Sequence, residues 1–130
     1  MKSRPATNDS LIYDLLKSPY YFVRFDGTVW TSLTKNGRPT KDNTWRLAGH
    51  NNTDTSNKTY RYIKFKGKHL KAHRIVYAAF GGELNPYLVI NHLDSNGLNN
   101  RPDNLEQITE RENLSSEKKR SKISELEVPF

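Results

Sequence analysis

Cysteine is absent from the chain, and that absence removes three classes of chemistry. There is no disulfide framework, no thiolate zinc site and no cysteine nucleophile. No apolar run approaches the ~20 residues that a membrane-spanning helix needs. The first residues, Met1-Lys-Ser-Arg-Pro5, lack the apolar core of a secretory leader. The expected setting is the cytoplasm, with no membrane and no disulfide partner. Acids are scarce too: 14 Asp and Glu stand against 21 Lys and Arg, for a formal charge of +7 and a pI near 9.7. Such an excess says little about fold, but it favours a polyanionic partner through steering and counterion release. Hydrophobic residues make up 34% of the 130, and mean hydropathy is −0.88. The expected core is modest and the loops long, in one domain or one domain with an appended subdomain.

Local patterns predict an α+β chain. Asn8 or Asp9 caps a helix to about Lys17, with Leu11, Leu15 and Leu16 on its apolar side and Pro19 beyond its end. Tyr21–Phe25 and Thr28–Leu33 read as strands joined by the two-residue hairpin signal Asp26-Gly27. Thr34 to Thr59 reads as loop, with a short strand around Trp45-Arg46-Leu47. Tyr60–Lys66 alternates, so Ile63 and Phe65 should face a core while Tyr60, Tyr62, Lys64 and Lys66 point outward. Gly67 turns the chain into a short strand, His69–Lys71, and a helix from Ala72 to Phe80 ends at Gly81-Gly82. Leu88–His92 is a strand, 93–104 a loop and Leu105–Ile108 a second strand. Thr109-Glu-Arg-Glu112 is a capping box that should open a helix to about Lys122.

The loop between the last two strands carries the chemistry. An apolar run, Tyr87–Ile90, delivers Asn91-His92 into a polar loop that returns through Asn104-Leu105, with Asn113 on the following helix. Phosphodiester hydrolysis needs a base for the attacking water and positive charge at the leaving oxygen. His92 is the natural base because imidazole titrates near working pH. Asn91 and Asn113 each offer a carbonyl oxygen to a hard cation, and Mg²⁺ takes few protein ligands. Asn104, where the loop re-enters the strand, is placed to hold the imidazole in one tautomer. Neighbouring strand residues point to opposite faces, so the strand must end or distort at Asn91-His92 for both to flank one site.

Ala72–Phe80, then Val89-Ile-Asn-His-Leu-Asp94, Asn99-Asn-Arg-Pro-Asp-Asn-Leu-Glu106 and Glu112-Asn113 resemble the HNH endonucleases in order and spacing. The likeness is to the phage and intron-encoded homing group with a ββα-metal fold, and it covers roughly residues 60–116. It implies an N-terminal, β-hairpin-rich, DNA-contacting region (1–71), a ββα-metal nuclease core (72–123) and a flexible tail (124–130). It also implies a phage-encoded enzyme working in a bacterial host. By this resemblance His92 is the general base, Asn104 orients it, and Asn113 binds the metal. Asn91 occupies a position where many relatives carry aspartate. The implied cofactor is Mg²⁺ or Mn²⁺ and the partner double-stranded DNA; the sequence leaves the oligomeric state open, with a monomer slightly favoured.

Between Lys58 and Arg74 lie seven basic residues (Lys58, Arg61, Lys64, Lys66, Lys68, Lys71 and Arg74) and no acid. They either lie along a phosphate backbone or form a lysine-protected, solvated strand. Arg101 and the cluster Lys118, Lys119 and Arg120 are further candidates for DNA contact, the cluster equally readable as a solvated helix end. Helical spacing sets His73 beside Val76, Tyr77 and Phe80, as a satisfied core histidine. His50 and His69 have no evident partner. Asp94 reads as a turn residue, Asn99 and Asn100 as loop residues. The segment from Asp94 to Asn99 is not a calcium loop, because its glycine is misplaced and no glutamate closes it. The sequence thus reads as a metal-dependent endonuclease that cuts or nicks DNA. The rivals are a non-cleaving nucleic-acid-binding module on the same scaffold and a purely structural basic protein.

Overall fold

Ala72, Ile75 and Val76 recur at helical spacing and are almost wholly buried, so the helix carrying them anchors the structure. The computed structural model describes residues 8–112. In chain order it contains α1 (Asp9–Lys17), β1 (Tyr21–Val23), β2 (Val29–Thr31), β3 (Arg46–Leu47), β4 (His50–Thr53), β5 (Thr59–Phe65), β6 (Lys68–Lys71), α2 (Ala72–Ala79), β7 (Val89–His92) and β8 (Leu105–Ile108). The architecture is α+β. Three small antiparallel sheets, β1-β2-β3, β4-β5-β6 and β7-β8, are tied together by α2. That helix touches α1 and at least one strand of every sheet. One apolar cluster runs from Ile12 and Leu15 through Val29, Ile63 and Leu70 to Ile90 and Leu105.

Buried Arg74 locks this arrangement. Its guanidinium donates to both carboxylate oxygens of Asp9 at 3.1 and 2.9 Å, to the carbonyl of Leu88 at 2.9 Å and to that of Asn85 at 3.2 Å. A planar fork of donors suits such a set of acceptors, and a buried charge needs them. Arg74 was expected on a DNA-contacting face; it is instead an internal clamp joining α2, α1 and the approach to β7. Asp9 is therefore not a helix cap. Asn8 holds that position at φ 56° with no side-chain capping bond.

The β1–β2 connection is longer than two residues. Gly27 N donates to Arg24 O at 3.0 Å and Arg24 N to Thr28 O at 2.9 Å, leaving Phe25-Asp26-Gly27 as the loop. The larger departure is β4, in a segment expected to be loop apart from the short strand that became β3. β4 pairs with β5 from His50↔Tyr62 to Thr53↔Thr59. All four of its residues are exposed, so no apolar alternation marks it. Its ladder is reinforced by Arg61 Nη1 on Asn51 Oδ1 (3.0 Å) and by the Thr53–Thr59 hydroxyl pair (2.8 Å).

The capping box behaves as expected: Thr109 Oγ1 accepts from Glu112 N at 3.0 Å, and residues 110–112 are helical. The rest of that expected helix, with Asn113, Lys118, Lys119 and Arg120, lies outside the described residues. No helix among the described residues is long and apolar enough to cross a membrane.

Candidate active site

β7 and β8 pair regularly up to His92↔Leu105, and the strand ends at His92. Leu93 N already turns away to Asn104 O at 2.8 Å. Asn91 sits across from Glu106, and its Nδ2 donates to Glu106 Oε1 at 2.8 Å. That bond fixes the amide, turning Oδ1 away from the carboxylate. Both Asn91 and His92 are buried, at 4% and 5% exposure. Both still line a cleft of about 410 Å³ whose other walls are 57–60, from the β4–β5 turn, and 95–98, from the loop after β7. Gly97 makes the cleft narrow, since a Cβ there would stand 2.3 Å from Thr59 O.

One side of the His92 ring meets an amide. Its Nε2 lies 2.7 Å from Asn100 Oδ1; because an amide oxygen only accepts, Nε2 carries the hydrogen and Nδ1 the lone pair. The ring faces also matter. His73 stands edge-on at 5.0 Å and Tyr60 is tilted at 5.8 Å. Burial pushes the His92 imidazole below its usual value, with the Asn100 bond and the Asp94 charge pushing back. Deep burial, then the charges of His92, Lys71 and Arg74, hold His73 well below its usual value. His73 Nδ1 has no hydrogen-bond partner. Both imidazoles are therefore neutral at pH 7.

Asn104 was expected to orient His92, and its side chain does something else. Its Nδ2 donates to Asp94 Oδ1 (2.9 Å) and Asn99 O (2.8 Å), while its Oδ1 accepts from Asp94 N (3.1 Å). It clasps the loop shut, and Asn100, read from the sequence as a mere loop residue, meets the imidazole. Asp94 completes the clasp through Asn99 Nδ2 (2.7 Å) and Asn96 N (2.8 Å). The Asn99 amide first, then Asn96 N and Asn104, lower its carboxyl to about 2. A carboxylate so occupied organises the loop, consistent with the turn role expected for it.

The loop is also braced from outside. Gly27, at φ +87°, packs on its backbone so closely that a Cβ would lie 2.3 Å from Asn100 C and 2.6 Å from Arg101 N. The hairpin tip of the first sheet therefore stands directly behind the residue that holds His92.

Among the basic candidates, Lys58 lines the cleft. Lys64, Lys66, Lys68 and Lys71 are exposed along β5–β6. Lys66 stands 3.9 Å from Asp14 in a solvated pair. Arg61 is half-buried, its Nη2 donating to Ala48 O at 2.7 Å, so much of its donor capacity is internal. Arg101 is exposed beside Asp103 (3.6 Å). Tyr60, expected to point outward, instead reaches the His92–His73 pair. His50 and His69 have partners after all. Their rings meet edge-on at 5.3 Å, and His50 stacks on Tyr62 at 6.1 Å.

The donors suit a hard cation. Asn91 supplies an amide oxygen, and Mg²⁺ keeps most of its water. Among the described residues no three His, Cys, Asp or Glu side chains form a metal cluster.

Residues 70–115 match the family model described as HNH endonuclease. The matched segment is a little over a third of the chain. It contains α2, β7, the His92 loop and β8. A solved structure described as "DNA binding and cleavage by the HNH homing endonuclease I-HmuI" shares the fold over 80% of this chain, with a TM-score of 0.54 and 23% identity. The chain corresponds to 55% of that protein's length. Among curated proteins none matches.

Proposed function

We propose that the chain is an HNH-type endonuclease that hydrolyses phosphodiester bonds in double-stranded DNA, with His92 as general base. The observation that carries this reading is the 2.7 Å bond between His92 Nε2 and Asn100 Oδ1 at the edge of the cleft. It sets the tautomer whose Nδ1 can take a proton from water attacking in line with the leaving oxygen. Burial keeps the ring neutral, so the base is ready at pH 7. Asn104 acts through the loop: by clasping Asp94 and Asn99 it fixes the segment from which Asn100 projects. Asn91, together with Asn113, would hold one Mg²⁺ or Mn²⁺, which when bound polarises the phosphate and stabilises the leaving oxygen. Lys58 sits in the cleft wall, and the exposed lysines of β5–β6 supply phosphate contacts without reading sequence.

Incubation with supercoiled plasmid, in Mg²⁺ and then in EDTA, tests the proposal. Nicking should need the metal. His92→Ala should lower it by at least ~10²-fold, the scale for removing a general base, while DNA affinity stays near wild type. A binding-only module would hold the plasmid uncut under every condition.

A further inference from the structure

The first sheet buries one face and exposes the other in an unusual way. Val29 and Thr31 turn inward and are buried, and Tyr21 and Val23 pack against the core beside them. The outward face should then be polar, as on most half-exposed antiparallel sheets. Instead Phe22, Trp30 and Leu47 stand in cross-strand register on it. Trp45 joins them, its ring edge-on to Phe22 at 4.8 Å, while Phe22 and Trp30 lie nearly parallel at 6.5 Å. Phe22, Trp45 and Leu47 are 41%, 39% and 44% exposed. Both tryptophans of the chain are on this face.

We infer that this face is a stacking platform for the unpaired bases of a nucleic-acid strand. Flat aromatic faces on a sheet exterior suit bases freed from a duplex, because every base offers a π-face. Charge selects the same partner. Arg24 lies over the Trp30 ring at 5.9 Å, and residues 17–47 hold six basic and two acidic side chains. A protein partner needs no such cationic border. The indole of Trp30 is preorganised, its Nε1 donating to Thr28 Oγ1 at 2.8 Å. Position fits as well, since the hairpin of this sheet ends at Gly27 against Asn100 and Arg101. A strand laid on the platform would run beside the rim of the cleft.

Because both tryptophans lie on the platform, intrinsic fluorescence of the full chain reports on it directly. Single-stranded oligothymidylate should quench the emission, with an affinity at least ~10-fold above that of a blunt duplex of equal length at the same salt. Polyphosphate should leave the emission unchanged. Quenching by polyphosphate, equal or tighter binding of duplex, or no quenching at all would overturn the inference. So would a concentration-dependent change without nucleic acid, which would mark the face as a self-association surface. Trp45→Phe should keep oligothymidylate affinity within about 3-fold, and Trp45→Leu should lose at least ~5-fold, the low end for one stacked base. Equal affinities for the two variants would show that the ring is not stacking. Melting curves verify that both fold. The titrations run in EDTA, where metal-dependent nicking does not occur, so this result stands apart from the nuclease reading.

Discussion

Gly27 and Asn100 touch backbone to backbone, and no side chain fits between them. The contact couples the β1–β2 hairpin to the amide that holds His92. It joins two parts of the chain that look independent in sequence.

Gly27→Ala should therefore harm both stability and cleavage. The substitution demands a positive φ from an L-residue and pushes on Asn100. Strain of that kind costs on the order of 1–3 kcal/mol. Thermal melting should show the loss, and nicking at a temperature where the variant is folded should still be reduced. Full nicking by a destabilised variant would mean that the hairpin supports the fold without supporting the site.

Asn100 is testable through pH. A general base must be neutral, so the rate should rise with pH through the His92 pKa, which burial holds below the usual imidazole value of about 6.5, and level off above that pKa. The Asn100 bond favours the protonated ring. Asn100→Ala should move the acid limb to lower pH while reducing the plateau, because the tautomer is no longer fixed. Asn100→Asp adds a negative charge beside the ring and should move the limb to higher pH. A pH profile that stays put in both variants would confine Asn100 to a loop-building role.

Much of this fold was legible because burial leaves a period in the sequence. α1 and α2 carry apolar residues at helical spacing, and the strands of the first hairpin and of β7–β8 contain short apolar runs bounded by turn residues. β4 carries none, since it is held by backbone pairing and by Asn51 and Thr53 side chains. The order of the site residues was legible; the contacts inside the loop were not. Asn99, Asn100 and Asn104 are chemically identical, and only the tertiary path of 93–104 decides which amide meets His92. Arg74 was hidden differently: its partner Asp9 lies 65 residues away, and a basic run disguised it as surface. A close-packed glycine such as Gly27 looks in sequence like any turn glycine.

Arg74→Met should destabilise strongly, because it strands the Asp9 carboxylate and two carbonyls in a buried site. Breaking a buried pair costs about 3–5 kcal/mol, a drop in Tm on the order of 10 °C for a domain this size. At a temperature where the variant is folded, the salt dependence of DNA binding should match wild type. A normal Tm with a shallower salt slope would restore Arg74 to the DNA-contacting face.

Lys64 and Lys66 give the opposite pattern. Both are exposed, and the Lys66–Asp14 pair at 3.9 Å is solvated, so such a pair adds little stability. Replacing both with Ala should leave the melting curve nearly unchanged and weaken binding to all DNA sequences alike. The slope of log affinity against log salt should fall by about one to two units. Isotherms at several salt concentrations decide it, and an unchanged slope would make this strand surface merely solvated.

Asn91→Asp probes the metal and the fold together. The Asn91 amide donates to Glu106 at 2.8 Å, so an aspartate would set two carboxylates face to face in a largely buried spot. Without metal the pair repels, and Tm should fall. With Mg²⁺ the added charge should attract the ion, so Tm should recover and half-maximal nicking should need less metal. The maximal rate should rise little, because an anionic ligand leaves the ion a weaker Lewis acid. Asn91→Ala loses the amide without gaining charge, so it should raise the metal requirement and show no Mg²⁺-dependent recovery of Tm. Melting curves with and without Mg²⁺, beside a Mg²⁺ titration of nicking, separate these outcomes. If Asn91→Asp lowers Tm equally in both conditions and the metal midpoint does not move, the Asn91 oxygen does not reach the ion. The residue would then serve only to tie β7 to β8 through Glu106.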